Sequence, residues 1–186
     1  MIKDSLKKML RSRLYRRLKT QSARDRRIRS LKLAAKLFSF EPFRKAGLVA
    51  FYVSLAEEVD TRSLIDRAFR LGKRIAVPKC DLKKRRLEFY EIKSRKELKK
   101  GVLGIPEPTA DPAWRVRPRQ FDCVLVPGIA FDRRQNRLGR GAGFYDRFLK
   151  RVPKRTFKIG LGFSFQIVPR VPTEAHDVRL DAVMTD

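Results

Sequence analysis

The sequence has few of the residues on which several classes of protein depend. Its two cysteines, Cys80 and Cys123, lie far apart, so neither a disulfide-rich fold nor a cysteine zinc site is expected. His176 is the single histidine, and we expect it to be structural or a neighbour of the site rather than a general base. No apolar run approaches the roughly 20 residues of a membrane span. A cytoplasmic protein without a membrane partner is therefore predicted.

Acidic residues are also scarce. The 20 Asp+Glu stand against 46 Lys+Arg, which gives a formal net charge of +26. Such a charge predicts attraction to polyanions, which include nucleic acids, acidic membranes and polyanionic small molecules. Hydrophobic residues make up 42% of the 186 residues, which indicates one folded domain rather than disorder. The single asparagine and the many Lys and Arg residues resemble a thermophile's composition, which a melting temperature in the mesophile range would contradict.

The first 38 residues predict two basic helices. An apolar stripe on the first is formed by leucines at every fourth position, namely Leu6, Leu10, Leu14 and Leu18. A capping-box pair, Ser22 and Asp25, starts the second. The inward positions of this second helix are predicted to be Ile28, Leu31, Ala35 and Phe38. Runs of charged residues usually form the solvent-exposed face of a helix, and that is one interpretation of these basic residues. The other interpretation is a binding site for anions or nucleic acid.

From residue 47 the pattern changes to short apolar strands that alternate with helices. Strand 47–53, helix 62–71 and strand 74–78 have the spacing of a βαβ unit, which predicts a parallel sheet. Further strands are predicted at 87–92, 121–126, 157–163 and 180–185, and residues 101–118 are expected to be irregular. The sequence thus predicts one α/β domain over 1–186. In it, helices flank a mainly parallel sheet and a basic helical hairpin, 1–38, packs on the rest.

The densest motif lies between residues 126 and 149. An apolar strand stops at Pro127-Gly128, a polar connection follows, and Gly139, Gly141 and Gly143 precede a helix predicted at 143–151. This is the local plan of a phosphate site, because glycines let the backbone approach an anion and N–H groups at a helix start bind it. The spacing matches neither standard nucleotide fingerprint, so an ordinary tight turn is the alternative.

Several acids are candidates for ligand contacts. Asp146 follows the glycines and is either a magnesium ligand or a first-turn acid favoured by the helix dipole. Glu57 and Glu58 follow a predicted parallel strand, at the end where open α/β sheets bind ligands, although solvent-exposed loop acids are the alternative. Asp177 and Asp181 are later candidates for a metal.

The motif closely resembles the signature of the 5-formyltetrahydrofolate cyclo-ligases, also called methenyltetrahydrofolate synthetases. The resemblance is carried by residues 127–132 and 137–146 and covers essentially the whole chain. Other segments that match in order are 7–11, 51–61, 72–74, 104–108 and 176–181. Two positions depart from the family pattern: Ala142, where relatives often have Gly or Lys, and Phe144, which replaces a common Tyr.

The resemblance implies an ATP- and magnesium-dependent closure of 5-formyltetrahydrofolate to 5,10-methenyltetrahydrofolate, with release of ADP and phosphate. The γ-phosphate would phosphorylate the formyl oxygen, and N10 would then attack the activated carbon. No protein nucleophile is needed, and Arg140 would stabilise charge. The implied fold is an α/β sandwich related to ribose-phosphate isomerases and CoA transferases. The implied partner is the folate, possibly polyglutamylated, with no specific nucleic acid, and the chain is expected to be a monomer.

The resemblance also assigns site residues by position. ATP would be bound by Lys7, Lys8, Arg11, Arg137, Leu138, Gly139, Arg140, Gly141, Ala142, Gly143, Phe144 and Tyr145. The folate would contact Val53, Glu58, Arg140, Gly141, Ala142, Gly143 and Phe144. Magnesium would be held by Asp146 and Asp177. If these assignments are right, Lys7, Arg11 and Asp177 should lie near 139–146 in the folded chain.

Two other functions stay open at this point. A basic RNA-associated protein is indicated by the net charge and the 1–36 segment, although no RNA-binding motif is visible. A nucleotide-dependent kinase of another small molecule would share the same fold and phosphate loop.

Overall fold

The computed structural model describes the backbone of residues 2–186 and the side chains of these except Ile2 and Leu103. The α-helices are α1 (Ile2–Thr20), α2 (Ala23–Ser39), α3 (Glu41–Lys45), α4 (Thr61–Arg70) and α5 (Phe144–Leu149). The first strands are β1 (Leu48–Ala50), β2 (Arg74–Asp81), β3 (Arg86–Ile92), β4 (Lys99–Lys100), β5 (Pro106–Glu107) and β6 (Arg115–Val116). The later strands are β7 (Cys123–Pro127), β8 (Ala130–Asp132), β9 (Arg137–Leu138), β10 (Phe157–Leu161), β11 (Ile167–Val168) and β12 (Ala182–Met184).

The main sheet has seven strands in the order β12-β10-β7-β1-β2-β3-β6. Its first five strands pair in parallel, and β3 and β6 complete one edge in antiparallel pairs. The prediction of a mainly parallel sheet flanked by helices is confirmed, as is the βαβ unit formed by β1, α4 and β2. Parallel pairing brings the carboxyl ends of β1, β7 and β10 to one edge, where open α/β sheets bind ligands.

Local sequence accounts for the βαβ crossover. The Asp60 side chain accepts a hydrogen bond from the backbone N–H of Arg62 and caps the start of α4. Leu64, Ile65 and Ala68 are buried on one face of the helix. Gly72 has a φ of 73° and ends the helix in the left-handed conformation that glycine adopts at little cost. The helix therefore returns the chain to β2 in register with β1.

The predicted inward face of α2 is right for Phe38, which is buried, and wrong for its other three positions. Ile28 is 43% exposed and Leu31 is 60% exposed. Ala35 is exposed as well, whereas Leu33 and Leu37 are fully buried on another face that includes Phe38. Apolar residues occupy more than one side of this helix, so periodicity alone cannot select the buried face. Tertiary packing selects it, because Phe38 meets Phe43 edge-to-face with ring centroids 5.2 Å apart.

The predicted polar connection after Pro127 is instead a second small sheet, with the order β11-β8-β9. A turn between β8 and β9 is held by the buried carboxylate of Asp132. One oxygen accepts hydrogen bonds from the backbone N–H groups of Arg134 and Asn136, and the other from the Asn136 amide and the Val171 backbone. The turn residue Gln135 has a φ of 61°. This hairpin carries the chain from β7 to the glycine loop and so positions the loop.

Asp132→Asn is expected to lower the free energy of unfolding by about 1–3 kcal/mol, because the amide group replaces an acceptor with a donor opposite buried N–H groups. Burial acts to raise the pKa of Asp132, but its hydrogen bonds to Val171 and Asn136 outweigh this, and the net pKa is lowered. A lowered pKa stabilises the fold above the unfolded value of 3.8 and loses that contribution as the pH falls below it. Denaturant unfolding between pH 6 and pH 2 should therefore show a shallower acid loss in the variant. Equal acid slopes would contradict this role.

Other predicted bounds shift by a few residues. Strand 47–53 ends as β1 at Ala50, and strand 157–163 ends as β10 at Leu161. Strand 180–185 narrows to β12, and helix 143–151 shortens to the six residues of α5. The stretch 101–118, expected to be irregular, contains 3-10 turns and the two-residue strands β5 and β6. Within residues 2–186, no helix combines the length and the apolar character that crossing a membrane requires.

Candidate active site

The candidate site is built around the glycine loop, residues 139–143, which joins β9 to α5. Gly141 and Gly143 have φ values of 108° and 68°, which residues with a side chain rarely adopt. A Cβ at Gly139 would lie 2.7 Å from a terminal nitrogen of Arg137. The backbone conformation thus favours glycine at 141 and 143, and the close approach of the Arg137 side chain favours it at 139. Because α5 is only six residues long, the charged side chains around the loop matter more than the helix start that the sequence indicated.

Arg137 is the buried cation of the site, with 3% of its side chain exposed. One terminal nitrogen donates to Oδ1 of Asp146 at 2.7 Å and the other to the carbonyl of Pro127 at 3.2 Å. Its Nε and the hydroxyl of Tyr145 are buried, and neither has a hydrogen-bond partner among the described residues. Burial, with the nearby charge of Glu58, raises the pKa of Tyr145, so the phenol remains a donor. The guanidinium carbon of Arg137 lies 5.8 Å from the ring centroid of Tyr145. Two unpaired buried donors on neighbouring side chains fit a ligand that carries an acceptor oxygen.

Arg140 links the glycine loop to the acids that follow β1. Its guanidinium lies 2.9 Å from carboxylate oxygens of both Glu57 and Glu58, and 5.2 Å from the ring centroid of Tyr15. Burial acts to lower the pKa of Arg140, but the charge of Glu58 and the hydrogen bond to Glu57 outweigh it, and the net pKa is raised. Arg140 is thus fully charged. The interpretation of Glu57 and Glu58 as solvated loop acids is wrong, since both side chains are mostly buried.

Helix α1 brings the amino terminus of the chain to the loop. Arg11 donates from Nε to the carbonyl of Gly139 at 2.9 Å, and its guanidinium carbon lies 3.6 Å from the position of a Cβ on Gly141. Lys7, one turn earlier, donates to Glu174 at 2.8 Å and to Asp177 at 3.1 Å. Burial acts to lower the pKa of Lys7, but these two carboxylates outweigh it, and the net pKa is raised.

The predicted approach of the amino-terminal helix to the loop is therefore observed for Arg11. Arg11 touches the loop directly, and Asp177 is joined to the same face of α1 through Lys7. His176 is exposed and lies beside the two acids that pair with Lys7. Its ring nitrogens lie 3.3 Å from Glu174 and 3.6 Å from Asp177. Its position fits the predicted role of a neighbour rather than a general base.

The remaining predicted residues differ in how close they come. Lys8 is exposed and makes no side-chain hydrogen bond to the described residues. Val53 and Leu138 are buried in the core, and Phe144 is half-buried at the start of α5. Asp181 accepts from the backbone of Lys158 and pairs with its Nζ at 2.7 Å, which is a structural role at β10. Asp181 is therefore not supported as a metal ligand.

Each of the two predicted magnesium ligands keeps one carboxylate oxygen outside its pair with Arg137 or Lys7, and in Asp177 this oxygen lies 3.6 Å from Nε2 of His176. Asp146 uses Oδ1 for Arg137, and Asp177 uses Oδ2 for Lys7 and for the backbone N–H of Glu174. Among the residues that the structure describes, no three His, Cys, Asp or Glu side chains are arranged to hold a metal. This donor set does not fit a closed structural metal site. It fits magnesium that is held mainly by phosphates and water, with one or two protein carboxylates.

Sequence reasoning missed four contributors: Tyr15, Arg147, Glu174 and the carbonyl of Pro127. Tyr15 had a usable signal, because Lys7, Arg11 and Tyr15 are spaced by four and share one stripe of α1. The Nζ of Lys19 lies 4.8 Å from the ring centroid of Tyr15. Arg147 and Glu174 had no such signal, since neither charge differs locally from the many others in the chain.

Comparison with known proteins decides between the functions left open. Residues 3–186 match the family model described as the 5-formyltetrahydrofolate cyclo-ligase family. The chain belongs to this family. The 5-formyltetrahydrofolate cyclo-ligase of Mus musculus is 30% identical, over 97% of this chain and 94% of that protein. The enzyme of the same name from Escherichia coli K12 is 33% identical, over 82% of this chain and 85% of the E. coli protein.

Solved structures agree with this membership in the cyclo-ligase family. The NMR structure of Aquifex aeolicus 5,10-methenyltetrahydrofolate synthetase superposes with a TM-score of 0.84 at 35% identity, covering 96% of this chain and 89% of that one. The synthetase from Mycoplasma pneumoniae has a TM-score of 0.78 at 24% identity and supports the fold alone. The family named from the sequence motif and the mixed α/β fold with a large sheet are both confirmed.

Proposed function

We propose that this cyclo-ligase family member catalyses ATP- and magnesium-dependent cyclisation of 5-formyltetrahydrofolate to 5,10-methenyltetrahydrofolate, with release of ADP and phosphate. One observation carries the proposal beyond family membership. The glycine loop, the acids after β1 and the cations of α1 converge through the contacts of Arg140 and Arg11. These three segments lie far apart in the sequence, and a tight turn alone would not need them together.

The described contacts support a division of the site. Arg11, Arg137 and the hydroxyl of Tyr145 present donors at the glycine loop, which suits the phosphates of ATP. Asp146 and Asp177 are proposed to hold magnesium, which when bound would neutralise phosphate charge. Glu58 and the loop residues 140–144, with Val53 behind them, are proposed to contact the folate. Lys8, being exposed, would act only through its charge.

The chain's own residues would then act by position and charge. Arg140 is permanently charged and is proposed to stabilise the negative charge that develops as the formyl oxygen is phosphorylated. Glu57 and Glu58 hold its guanidinium in place, so little reorganisation is needed. Tyr145 keeps its proton and can donate a hydrogen bond to an oxygen of the ligand. No serine, cysteine or histidine nucleophile is assigned.

Mixing the protein with MgATP and 5-formyltetrahydrofolate tests this proposal. We expect near-ultraviolet absorbance of the methenyl product to rise together with ADP. ADP release without that absorbance would favour a kinase instead. No product at any temperature up to the melting point would overturn the proposal, and omission of ATP or magnesium provides the controls.

Arg11→Ala is expected to raise the KM for ATP about tenfold or more, because a charge-assisted contact at the phosphate loop is lost. The KM for the folate should change much less. Lys8→Ala is the matched control, since Lys8 lies on the same helix and carries the same charge but is exposed. Equal effects of the two substitutions on ATP would assign Arg11 to general electrostatics.

Four coarser features are proposed alongside the activity. The family match over residues 3–186 supports a single domain, with 1–38 as a basic hairpin packed on it. The net charge of +26 disfavours self-association and supports a monomer. The free thiols of Cys80 and Cys123 suit the reducing cytoplasm. The layered α/β fold is proposed to be related to ribose-phosphate isomerases and CoA transferases.

A further inference from the structure

Arg147 stands outside every assigned role, yet its side chain contacts the glycine loop. It lies in the last turn of the short helix α5. Its Nε donates to the carbonyl of Arg85 at 2.6 Å, and a terminal nitrogen donates to the carbonyl of Ala142 at 2.6 Å. Its guanidinium carbon lies 5.6 Å from the ring centroid of Phe144. These contacts hold a long surface side chain in one orientation.

The guanidinium of Arg147 rests against the loop backbone. One of its terminal nitrogens lies 2.9 Å from the position that a Cβ would take on Gly143, so this glycine leaves room for the cation. Arg11 bears the same relation to the other half of the loop, through the carbonyl of Gly139 and the space beside Gly141. Two guanidinium groups therefore contact successive parts of one five-residue segment.

Arg11 and Arg147 differ from the neighbouring cations of the site, because no carboxylate of the described residues balances their charge. Lys7, Arg137 and Arg140 each form ion pairs with carboxylates. Within the described residues, Arg11 and Arg147 form none and bond to backbone carbonyls of the loop instead. A guanidinium has five N–H donors, and Arg147 uses only two nitrogens for carbonyls. The donors on its remaining nitrogen stay available for an anion.

We propose that Arg147 is a phosphate-binding residue of the glycine loop. This inference rests on the proposed function, in which the loop binds the phosphates of ATP. The two carbonyl contacts orient the guanidinium, and the free donors and uncompensated charge meet the phosphate oxygens. A purely structural brace would use the same carbonyl contacts but would not distinguish phosphate from the other ligand of the loop.

Steady-state kinetics of Arg147→Gln, Arg147→Lys and Arg151→Gln test the proposal. Arg151 is an exposed arginine four residues further on and makes no side-chain hydrogen bond to the described residues, so it controls for net charge. Arg147→Gln should raise the KM for ATP about tenfold and the inhibition constant of tripolyphosphate by a similar factor. The folate KM should change less than about twofold. Arg147→Lys should fall between, because it keeps the charge without the planar fork.

Two results would overturn the proposal. In an active enzyme, equal changes in both KM values, or no change in the inhibition constant of tripolyphosphate, would make Arg147 a brace of the loop. If the wild-type protein forms no methenyl product, the proposed activity fails by itself. Calorimetric titration with tripolyphosphate then decides the role of Arg147, and equal affinity of the wild type and Arg147→Gln would refute it. Circular dichroism establishes that each variant is folded.

Discussion

Asp146→Asn is expected to lower turnover about a hundredfold or more while the protein stays folded, the scale on which loss of one charge-stabilising group slows an enzyme. Asparagine keeps an oxygen for the terminal nitrogen of Arg137, which lies 2.7 Å from the carboxylate. It removes the negative charge that would hold magnesium. Alanine is a poorer test, because it would leave the buried guanidinium of Arg137 without its carboxylate partner and so destabilise the fold.

Turnover measured against magnesium concentration checks this expectation. The variant should need far more magnesium, and its melting temperature should change by only a few degrees. Asp66→Asn is a matched control, because Asp66 also pairs with an arginine, Arg95, at 2.5 Å but lies outside the site. Normal turnover in a folded Asp146→Asn protein would remove Asp146 from the metal site.

Arg140→Gln is expected to lower kcat by about 10²–10³, because the positive charge proposed to meet the phosphorylated formyl oxygen is lost. The substitution also leaves Glu57 and Glu58 side by side without their shared cation. Burial acts to raise the pKa of Glu57, and at present the hydrogen bond from Arg140 outweighs it and keeps that pKa low. The pKa of Glu57 should therefore rise in the variant. The free energy of unfolding of the variant should then be lower above pH 5 than at pH 4.

Single-turnover kinetics with saturating ligands separate this loss from weaker binding. Arg140→Lys should recover part of the rate, since a lysine retains the charge but not the planar contact with two carboxylates. Arg115→Gln is the control outside the site, because Arg115 pairs with Glu88 at 2.9 Å in a comparable ion pair. An unchanged kcat in Arg140→Gln would mean that Arg140 serves only to hold the acids after β1.

Several elements were predictable because their signals are local. The capping residues Ser22 and Asp60 accept from the N–H groups of Asp25 and Arg62 and start α2 and α4. The β1-α4-β2 unit follows from short apolar strands on either side of an amphipathic helix. The glycine loop was recognisable since left-handed and closely packed positions admit few residues other than glycine.

Other elements could not be predicted, because the local sequence was equally compatible with more than one structure. The α2 helix offered two apolar faces, and the face of Leu33 and Leu37 is buried only because α3 and the sheet pack there. The β8-β9 hairpin contains few apolar residues, and its turn depends on Asp132 receiving the Val171 N–H from 39 residues away. No local pattern reports such a long-range hydrogen bond.

The sequence by itself determined the family, the order of the main parallel strands and their helices, and the segments that form the site, because periodicity, capping and a specific motif are encoded within short windows. Only the tertiary structure decided which charges work together. In a chain with 46 Lys+Arg, composition cannot show that Arg140 is held by Glu57 and Glu58. Nor can it show that, within the described site, Arg11 and Arg147 contact the glycine loop without forming an ion pair. Ion pairing depends on distances of a few ångströms between residues that are far apart in sequence, and folding sets those distances.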